Sequence, residues 1–301
     1  MRVPPLVTVG LPVRDAEATL PIALASIVEQ SYSHWELLVV DDDSTDRSRA
    51  ILEAVAACDP RVRIAEPVGE PGLPARLNQL IRMARGELFA RMDADDVAYP
   101  DRLARQVAFL RRNPNVDLVG AATVVFAGDG EVRGLRAAPT THEAICARPT
   151  AGFKLYHPTW LGRTAWFRRY GYRSTARRCE DQDLLLRAHG TSTFANIDDP
   201  LLGYREGRLD LRQMWAGRVG FVRSVVDVNG RQHGRLEAAA AVMTQALKGS
   251  LESITVTFGL QRLLRHRAGP ISAEERARFE QVWQEVTEAV VGSASGMSVR
   301  A

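Results

Sequence analysis

Cysteine is scarce in this chain, and its placement excludes two classes of small domain. The 301 residues include three cysteines, Cys58, Cys146 and Cys179, which are far apart and form no CxxC pair. Because disulfide-stapled domains are dense in cysteine and structural zinc sites use paired cysteines such as CxxC, neither is expected here. Unpaired cysteines fit a reducing compartment.

Long hydrophobic runs are also missing. No window reaches the ~18 to 20 uninterrupted apolar residues that a membrane-spanning helix needs, and the nearest, Leu236 to Leu247, is short and rich in alanine. Met1 to Pro5 lead directly into a strand-like run, without the basic region and apolar stretch of a secretory signal. We therefore expect a cytoplasmic protein.

The chain carries no large excess of charge of either sign. The 39 Lys and Arg residues and the 36 Asp and Glu residues leave a net charge of +3. We therefore expect no nucleic-acid partner, since such a partner usually requires a strongly basic surface. Arginines are concentrated between Arg163 and Arg235, where solvent, an anionic substrate or a membrane surface would each accommodate them.

What the sequence does contain is a repeated alternation of strand and helix patterns. Three β-rich runs, Leu6 to Leu11, Glu36 to Val40 and Leu88 to Met92, are separated by segments with apolar residues at helical spacing. This alternation predicts an α/β fold with a mostly parallel sheet flanked by helices. From about Leu211 the pattern is helical, and Ser272 is placed to cap a last helix.

Polar clusters follow the strands, at the edge where ligands bind in parallel sheets. The first cluster, Asp41 to Asp46, follows the second strand. A calcium loop is excluded because Arg47 occupies the position where the sharp turn needs glycine. Two interpretations stay open: a turn capped by Ser44 or Thr45, or a carboxylate that accepts a hydrogen bond from the ring N–H of a base such as uracil.

The second cluster places three carboxylates within four residues, directly after a hydrophobic strand: Asp93, Asp95 and Asp96. Like charges this close repel one another and favour a compensating cation. Mg²⁺ and Mn²⁺ prefer such oxygen ligands, although acidic turns without a metal are also common.

The third cluster places Glu180, Asp181 and Asp183 in the first turn of a helix. The helix dipole favours acids at this position without any catalytic role. It also keeps a carboxylate ionised, as a general base requires. These residues alone leave open which of the three acids would serve.

These clusters and the segments between them resemble glycosyltransferase family 2 over about two-thirds of the chain, up to about Arg208. The motifs of the first half are Leu11-Pro12-Val13, Gln30-Ser31-Tyr32, Val39 to Asp46, Ala75 to Asn78 and Asp93 to Asp96. Those of the second half are His157-Pro158-Thr159, Glu180 to Leu184 and Leu201 to Arg205.

The resemblance implies a GT-A fold and an inverting, metal-dependent transfer of a sugar from a nucleoside diphosphate to an acceptor hydroxyl. Residues 1–210 would form the catalytic domain, with a nucleotide-binding half at 1–118 and an acceptor half at 119–210. Residues 211–301 would form a helical extension. The donor is expected to carry UDP or dTDP, and the cofactor to be Mg²⁺ or Mn²⁺. The acceptor is expected to be a carbohydrate or a lipid-linked sugar in the synthesis of cell-surface polysaccharide or glycoconjugate.

The resemblance also implies roles for individual residues. Asp42 accepts a hydrogen bond from the nucleobase, Asp95 ligates the metal, and Asp181 is the catalytic base. The implied donor-binding residues are Pro12, Arg14, Glu17, Asp42, Arg76 and Asp93.

The chain departs from the pattern of the family at three places. Arg14-Asp15 replace an aromatic-Asn pair, Asp43 replaces a frequent glycine, and Glu206-Gly207 stand where a histidine often follows Tyr204-Arg205.

Three further residues are candidates for the cleft or the acceptor side: His157, Trp160 and Glu180. His157 either lines the cleft or packs beside Tyr156. Trp160 either stacks on a sugar ring or belongs to the core, as aromatic side chains more often do.

Other functions are compatible with parts of this pattern. A nucleotide-sugar-binding protein without turnover is disfavoured by the presence of Asp95 and Asp181. A nucleotidyltransferase would need a glycine-rich loop after the first strand, which Leu11 to Asp15 does not provide. A dinucleotide-dependent oxidoreductase would need a GxGxxG motif at the same place, and no such motif follows the first strand.

The helical extension has four interpretations: it covers the cleft, forms a homodimer, rests peripherally on a membrane, or packs on the catalytic domain. A group of basic residues beside leucines suits an anionic surface. The basic residues are Arg262, Arg265, His266 and Arg267, and the leucines are Leu260, Leu263 and Leu264.

Overall fold

A computed structural model describes residues 3–207, 210–229, 235–258 and 268–298. The basic segment singled out in the extension, which holds Arg262, Arg265, His266 and Arg267 with Leu260, Leu263 and Leu264, lies outside the described residues. The strands are β1 (Val7–Val13), β2 (Trp35–Asp41), β3 (Val62–Ala65), β4 (Leu88–Arg91), β5 (Val97–Ala98), β6 (Leu118–Ala127), β7 (Glu131–Arg136), β8 (Leu161–Arg163) and β9 (Phe194–Arg205).

Helices alternate with these strands in the first half and dominate the end of the chain. They are α1 (Leu20–Val28), α2 (Ser48–Cys58), α3 (Leu73–Met83), α4 (Arg102–Arg112), α5 (His142–Ile145), α6 (Thr164–Tyr170), α7 (Glu180–Ala188), α8 (Leu211–Asn229), α9 (Arg235–Thr257) and α10 (Ala273–Ser298). None of the helices in the described ranges is long and apolar enough to cross a membrane.

All the strands join one sheet, whose first part is parallel as the alternation predicts. The order is β3-β2-β1-β4-β8-β6-β9-β5, with β7 paired to β6. Neighbours from β3 to β4 pair in parallel. Alternate residues of β2 enter different cores, since Leu37 and Val39 pack with Leu24 of α1 while Leu38 and Val40 pack with α3. Helices therefore cover both faces of the sheet.

The second part of the sheet is mixed. β6 and β9 pair in parallel, whereas β8 pairs antiparallel with both β4 and β6, and β5 pairs antiparallel with β9. The hairpin of β6 and β7 turns at Gly128-Asp129-Gly130. β5 and β8 contain only two and three residues, which is too short for a period-2 pattern to be recognised in the sequence.

The helices α8 and α9 form an antiparallel pair that packs on the preceding α/β part of the chain. Trp215 Nε1 donates to Ser253 Oγ at 2.9 Å across the pair. Phe221 and Val225 of α8 lie in the same core as the leucines of α7. The extension thus shares a core with the preceding residues, and a domain boundary at residue 210 stays a prediction.

The last helix, α10, returns to the sheet. Ser272 caps it as expected, because Ser272 Oγ accepts from the backbone N–H of Glu275 at 3.1 Å. Phe279 is fully buried against Tyr99 and Phe126. This helix closes the sheet face beside β5 and β6.

Candidate functional site

A cleft of about 370 Å³ opens at the carboxyl ends of β1 and β2. Its walls come from the loop after β1, the loop after β2, the start of α3 and the segment that leads into α7. Strand ends and helix starts converge at this edge, as the parallel order requires. Five of the residues proposed from the sequence line the cleft together: Pro12, Arg14, Asp42, Arg76 and Glu180.

A buried ion pair orients the carboxylate in this cleft. Arg76 Nε donates to Asp42 Oδ1 at 2.5 Å, and the backbone N–H of Gly72 donates to Asp42 Oδ2 at 2.9 Å. The side chains of Arg76 and Asp42 are only 2% and 7% exposed. Removing either partner would leave a buried charge uncompensated, so the pair fixes the position of Asp42. Each carboxylate oxygen has a second lone pair that stays available to a ligand.

The loops after β1 and β2 are tied to each other by hydrogen bonds. The backbone N–H of Thr45 donates to Asp15 Oδ1 at 2.7 Å, and that of Arg47 donates to Glu17 Oε2 at 2.9 Å. Asp15 and Asp43 have φ angles of 47° and 57°, in the left-handed region that aspartate tolerates. Glu17 holds this loop pair together and is not among the residues that line the cleft. Its contact with the nucleotide stays a prediction.

Three carboxylates meet in the loop after β4. One oxygen atom from each of Asp93, Asp95 and Asp96 lies within 4.8 Å of the others. Asp95 is exposed, whereas Asp96 is buried and accepts from the backbone N–H of Arg205 at 2.9 Å. Asp96 Oδ2 is buried without a hydrogen-bond partner among the described residues. Oxygen ligands in this arrangement suit a hard divalent cation.

The electrostatics of this loop also favour a cation. Although Asp95 reaches the surface, desolvation of its carboxyl within this loop, followed by the charge of Asp93, raises the pKa of Asp95 to about 6. Burial, with the charges of both neighbours, raises the pKa of Asp96 well above its ordinary value. The buried guanidinium of Arg91 pairs with Asp93 and so compensates part of the negative charge. A divalent cation would relieve the remaining repulsion.

A buried polar layer lies behind the carboxylates. His157 Nε2 lies 2.8 Å from Tyr172 Oη. Burial raises the pKa of Tyr172 well above its ordinary value, opposed by the charge of Arg91 and reinforced by those of Asp181 and Glu180. Burial, followed by the charge of Arg91, lowers the pKa of His157 well below its ordinary value. The end of β4 and the first turn of α7 therefore both act on the buried hydroxyl of Tyr172.

The acids of α7 have three different surroundings. Asp183 is 1% exposed and accepts from Arg187 Nε at 2.8 Å, which excludes it as a base for a bound substrate. Glu180 is buried beside the cleft, where desolvation, followed by the charge of Asp181, raises its pKa to about 7. Asp181 is half-buried and accepts from Gln182 Nε2 at 3.1 Å. Two candidates for a general base remain, Glu180 and Asp181.

The raised pKa of Glu180 predicts a pH-dependent cost to stability in the absence of metal and nucleotide. From the ordinary value of 4.5 up to about 7, the folded protein holds a proton that the unfolded chain has lost, so stability falls as pH rises through this window. Glu180→Gln should remove this cost and stabilise the protein at pH 8 by about 1–3 kcal/mol. Urea unfolding at pH 4.5 and pH 8 measures the difference. Glu70→Gln, at an exposed carboxyl, is the matched control, and equal behaviour of the two variants would contradict the prediction.

Two of the cleft candidates from the sequence are buried. Trp160 is 0% exposed, and its Nε1 donates to the carbonyl of Leu155 at 3.2 Å. The structure thus places Trp160 in the core rather than in the cleft, because the 3-10 turn His157–Thr159 packs against the sheet. His157 is also buried, and its partner is Tyr172 rather than Tyr156.

Sequence reasoning missed several residues of this site. Arg177 and Arg178 line the cleft, and the only sequence signal for them is the arginine-rich composition after Arg163. Arg205 Nε donates to the carbonyl of Asp95 at 2.9 Å, so the Tyr-Arg motif at the end of β9 holds the acidic loop. Arg91 is the last residue of β4, and its charge at the end of an apolar run is the signal that could have identified it.

Comparisons with a family model and with known proteins indicate the same family. The model of the family described as "Glycosyl transferase family 2" matches residues 8–174. The chain is 38% identical over 188 residues to "Putative glycosyltransferase EpsE" of Bacillus subtilis, covering 61% of this chain and 66% of that protein. It is 31% identical over 108 residues to "UDP-Glc:alpha-D-GlcNAc-diphosphoundecaprenol beta-1,3-glucosyltransferase WfgD" of Escherichia coli, covering 36% of this chain and 42% of that protein. Each match spans less than two thirds of the relative's own length.

Solved structures confirm the GT-A fold. S. aureus TarS 1-349 in complex with UDP-GlcNAc has a TM-score of 0.56 at 19% identity, with 94% of this chain and 81% of that chain covered. The mannosyltransferase PcManGT from Pyrobaculum calidifontis, in complex with GDP-Man and Mn²⁺, has a TM-score of 0.57 at 18% identity, with 96% and 87% covered. At these identities the likeness establishes the architecture.

Proposed function

The chain belongs to glycosyltransferase family 2, and from this premise we propose that it moves a sugar from a nucleoside diphosphate to an acceptor hydroxyl, with inversion at the anomeric carbon. The observation that carries the proposal is the convergence of three groups at one edge of the sheet. They are the Asp42–Arg76 pair, the carboxylates around Asp95, and the first turn of α7. Family membership supports the class of reaction, and the cleft is the proposed site of that reaction.

The nucleotide is assigned to the cleft beside Asp42. The fixed carboxylate accepts a hydrogen bond from the ring N–H of uracil or thymine, which makes UDP or dTDP the favoured donor nucleotide. Arg14, Arg177 and Arg178 line the same cleft, and guanidinium groups pair well with phosphate oxygens. The relative WfgD is named for its use of UDP-Glc, which supports a uridine nucleotide here.

The cation is assigned to the loop after β4, with Asp95 as its principal ligand and Asp93 and Asp96 beside it. Mg²⁺ or Mn²⁺ bound there would neutralise negative charge on the departing diphosphate. Arg91 orients Asp93, and the backbone N–H of Arg205 orients Asp96, so the acidic loop is held from two sides. The Mn²⁺ in the structure of PcManGT supports a divalent cation in this fold.

Asp181 is assigned the role of general base. It takes the proton from the acceptor hydroxyl while the acceptor oxygen forms a bond to the anomeric carbon. The bond from that carbon to the diphosphate oxygen breaks at the same time, and the nucleoside diphosphate leaves with the electron pair. One displacement inverts the anomeric carbon, so an α-linked donor gives a β-linked product.

The acceptor is proposed to be a carbohydrate or a lipid-linked sugar in the synthesis of a cell-surface polysaccharide. WfgD is also named for its action on a sugar linked to diphosphoundecaprenol. The family model matches residues 8–174, and the acceptor class is carried by family likeness rather than by a contact in the site.

Competition binding tests the nucleotide assignment. UDP, dTDP, GDP and ADP are each titrated against the full chain with Mn²⁺, and UDP or dTDP should bind at least about tenfold more tightly than GDP. Asp42→Asn keeps the shape of the side chain and should reduce the difference in affinity between UDP or dTDP and GDP. Because Asp42→Asn leaves the buried charge of Arg76 without its partner, thermal unfolding without nucleotide is used to check that the variant is folded. Tightest binding of GDP to the wild type would contradict the assignment.

A further inference from the structure

The last helix reaches the surroundings of the acidic loop through one aromatic side chain. Trp283 of α10 is partly buried, and its ring centroid lies 5.5 Å from Cζ of Arg205. The ring centroid of Phe126 lies 4.6 Å from the same Cζ. Both rings are within cation–π distance of the guanidinium at the end of β9, so each attracts its positive charge. The helical extension therefore contributes a side chain beside the proposed cation site.

Arg205 joins these rings to the acidic loop, which runs from Asp93 to Asp96. Its Nε donates to the carbonyl of Asp95 at 2.9 Å, and its backbone N–H donates to Asp96 Oδ1 at 2.9 Å. Its Nη1 donates to the carbonyl of Gly128, in the turn between β6 and β7. A long arginine side chain loses rotamer freedom when it is fixed in this way. Contacts that hold the guanidinium therefore favour the bound position of the loop.

The hairpin turn and the packing of α10 fix the position of Trp283. An added Cβ at Gly130, whose φ is 96°, would lie 2.5 Å from Trp283 Nε1, so the indole packs directly on the turn. An added Cβ at Gly203 of β9 would collide with the ring of Phe279, so α10 also lies directly on the strand that ends in Arg205. Side chains packed this closely have little room to move. The indole therefore has a defined place beside the guanidinium.

The acidic loop needs support of this kind because its carboxylates repel one another. One oxygen atom from each of Asp93, Asp95 and Asp96 lies within 4.8 Å of the others, and without a cation their repulsion favours a more open loop. Arg205 opposes the opening in two ways, since its side chain holds the main chain of Asp95 and its charge attracts the carboxylates. Groups that orient metal ligands in this way raise metal affinity.

We propose that Trp283 is a positioning residue for the acidic loop: it holds the guanidinium of Arg205 in place, and Arg205 in turn fixes the main chain at Asp95. The inference deepens the proposed function and rests on it only in that the acidic loop holds the cation. The position of the loop does not itself require a cation, so it is also measured in the metal-free protein.

Two variants of Trp283 separate the contact of the ring from the filling of space. Trp283→Leu keeps apolar bulk without a ring, whereas Trp283→Phe keeps an aromatic face near Arg205. In the metal-free full chain, Trp283→Leu should speed hydrogen exchange of the backbone amide at position 205, which donates to Asp96, by about two- to fivefold. Titrations of UDP with Mn²⁺ and with EDTA should show that Trp283→Leu weakens the metal-dependent part of the affinity by about three- to tenfold. Trp283→Phe should stay close to the wild type in both measurements.

A double-mutant cycle tests whether Trp283 acts through Arg205. Arg205→Met removes the guanidinium and keeps the backbone N–H that donates to Asp96. It should weaken Mn²⁺-dependent binding at least as much as Trp283→Leu, and the double variant should lose no more than Arg205→Met alone. The same comparison applies to the exchange rates. Val286→Ala is the matched control on α10, because Val286 is 3% exposed in the same core as Phe126. It should lower thermal stability and leave the exchange at position 205 and Mn²⁺-dependent binding unchanged.

Three results would overturn the proposal. The first is exchange at position 205 in Trp283→Leu that equals that of the wild type. The second is equal behaviour of Trp283→Leu and Val286→Ala in both measurements, since Trp283 would then only stabilise the core. The third is a double variant whose loss is the product of the two single losses, since Trp283 would then act independently of Arg205. Wild-type binding of UDP that is no stronger with Mn²⁺ than with EDTA would count against the proposed function, and the exchange rates would still decide the role of Trp283.

Discussion

Asp181→Asn is expected to lower the rate of sugar transfer by about 10²–10⁴-fold while the affinity for the donor changes little. The substitution preserves the shape of the side chain and removes the carboxylate that would accept the proton of the acceptor hydroxyl. Asp181 is half-buried at the start of α7, so the variant should remain folded. Steady-state kinetics with the full chain, together with donor binding by calorimetry, separate turnover from affinity.

Glu180→Gln is the matched comparison for this prediction. Glu180 is the preceding residue, lines the cleft and has a pKa raised to about 7, which also suits a base near neutral pH. We expect Glu180→Gln to retain more activity than Asp181→Asn. If Asp181→Asn kept near-normal transfer while Glu180→Gln lost it, the base would be Glu180. If neither variant lost activity, the displacement mechanism would be wrong.

Asp95→Ala is expected to abolish the metal-dependent part of nucleoside diphosphate binding. Asp95 is the exposed member of the three-carboxylate loop, so its removal takes away a ligand without opening the core. The folded state should be at least as stable as that of the wild type without metal, because the variant relieves repulsion with Asp93 and Asp96. Titrations of UDP with Mn²⁺ and with EDTA give the metal-dependent part directly.

Asp129→Ala is the control for Asp95→Ala. Asp129 is an exposed aspartate in the turn between β6 and β7 and lies outside the three-carboxylate loop. Its replacement should leave Mn²⁺-dependent binding unchanged. Undiminished Mn²⁺-dependent affinity in Asp95→Ala would mean that the principal ligand is another residue.

Much of the fold could be predicted from the sequence because its first part obeys simple periodicity. β1 and β2 are long, buried and followed by helices with a clear apolar face, and this pattern correctly predicts the parallel order. β5 and β8 are set by tertiary pairing and contain too few residues to leave a pattern. The mixed half of the sheet therefore became evident only in the structure.

Only part of the candidate site could likewise be predicted from the sequence. Asp42, Asp93 and Asp95 follow strands directly, so their place at the edge of the sheet could be deduced from the chain order. The buried pairing of Asp42 with Arg76 joins residues 34 apart, and the contact of His157 with Tyr172 depends on how a 3-10 turn packs. No local pattern encodes such contacts. For the same reason the sequence left open whether Trp160 was in the core or in the cleft.

The stereochemistry of donor cleavage tests the central claim most directly. The full chain is incubated with Mn²⁺ and α-linked nucleotide sugars, with water as the acceptor, and the anomer of the released sugar is followed by proton NMR before it equilibrates. A single displacement predicts that the β anomer forms first from at least one uridine or thymidine donor, and that this release is lost in Asp95→Ala. Initial release of the α anomer, or no release from any nucleotide sugar, would contradict an inverting glycosyltransferase.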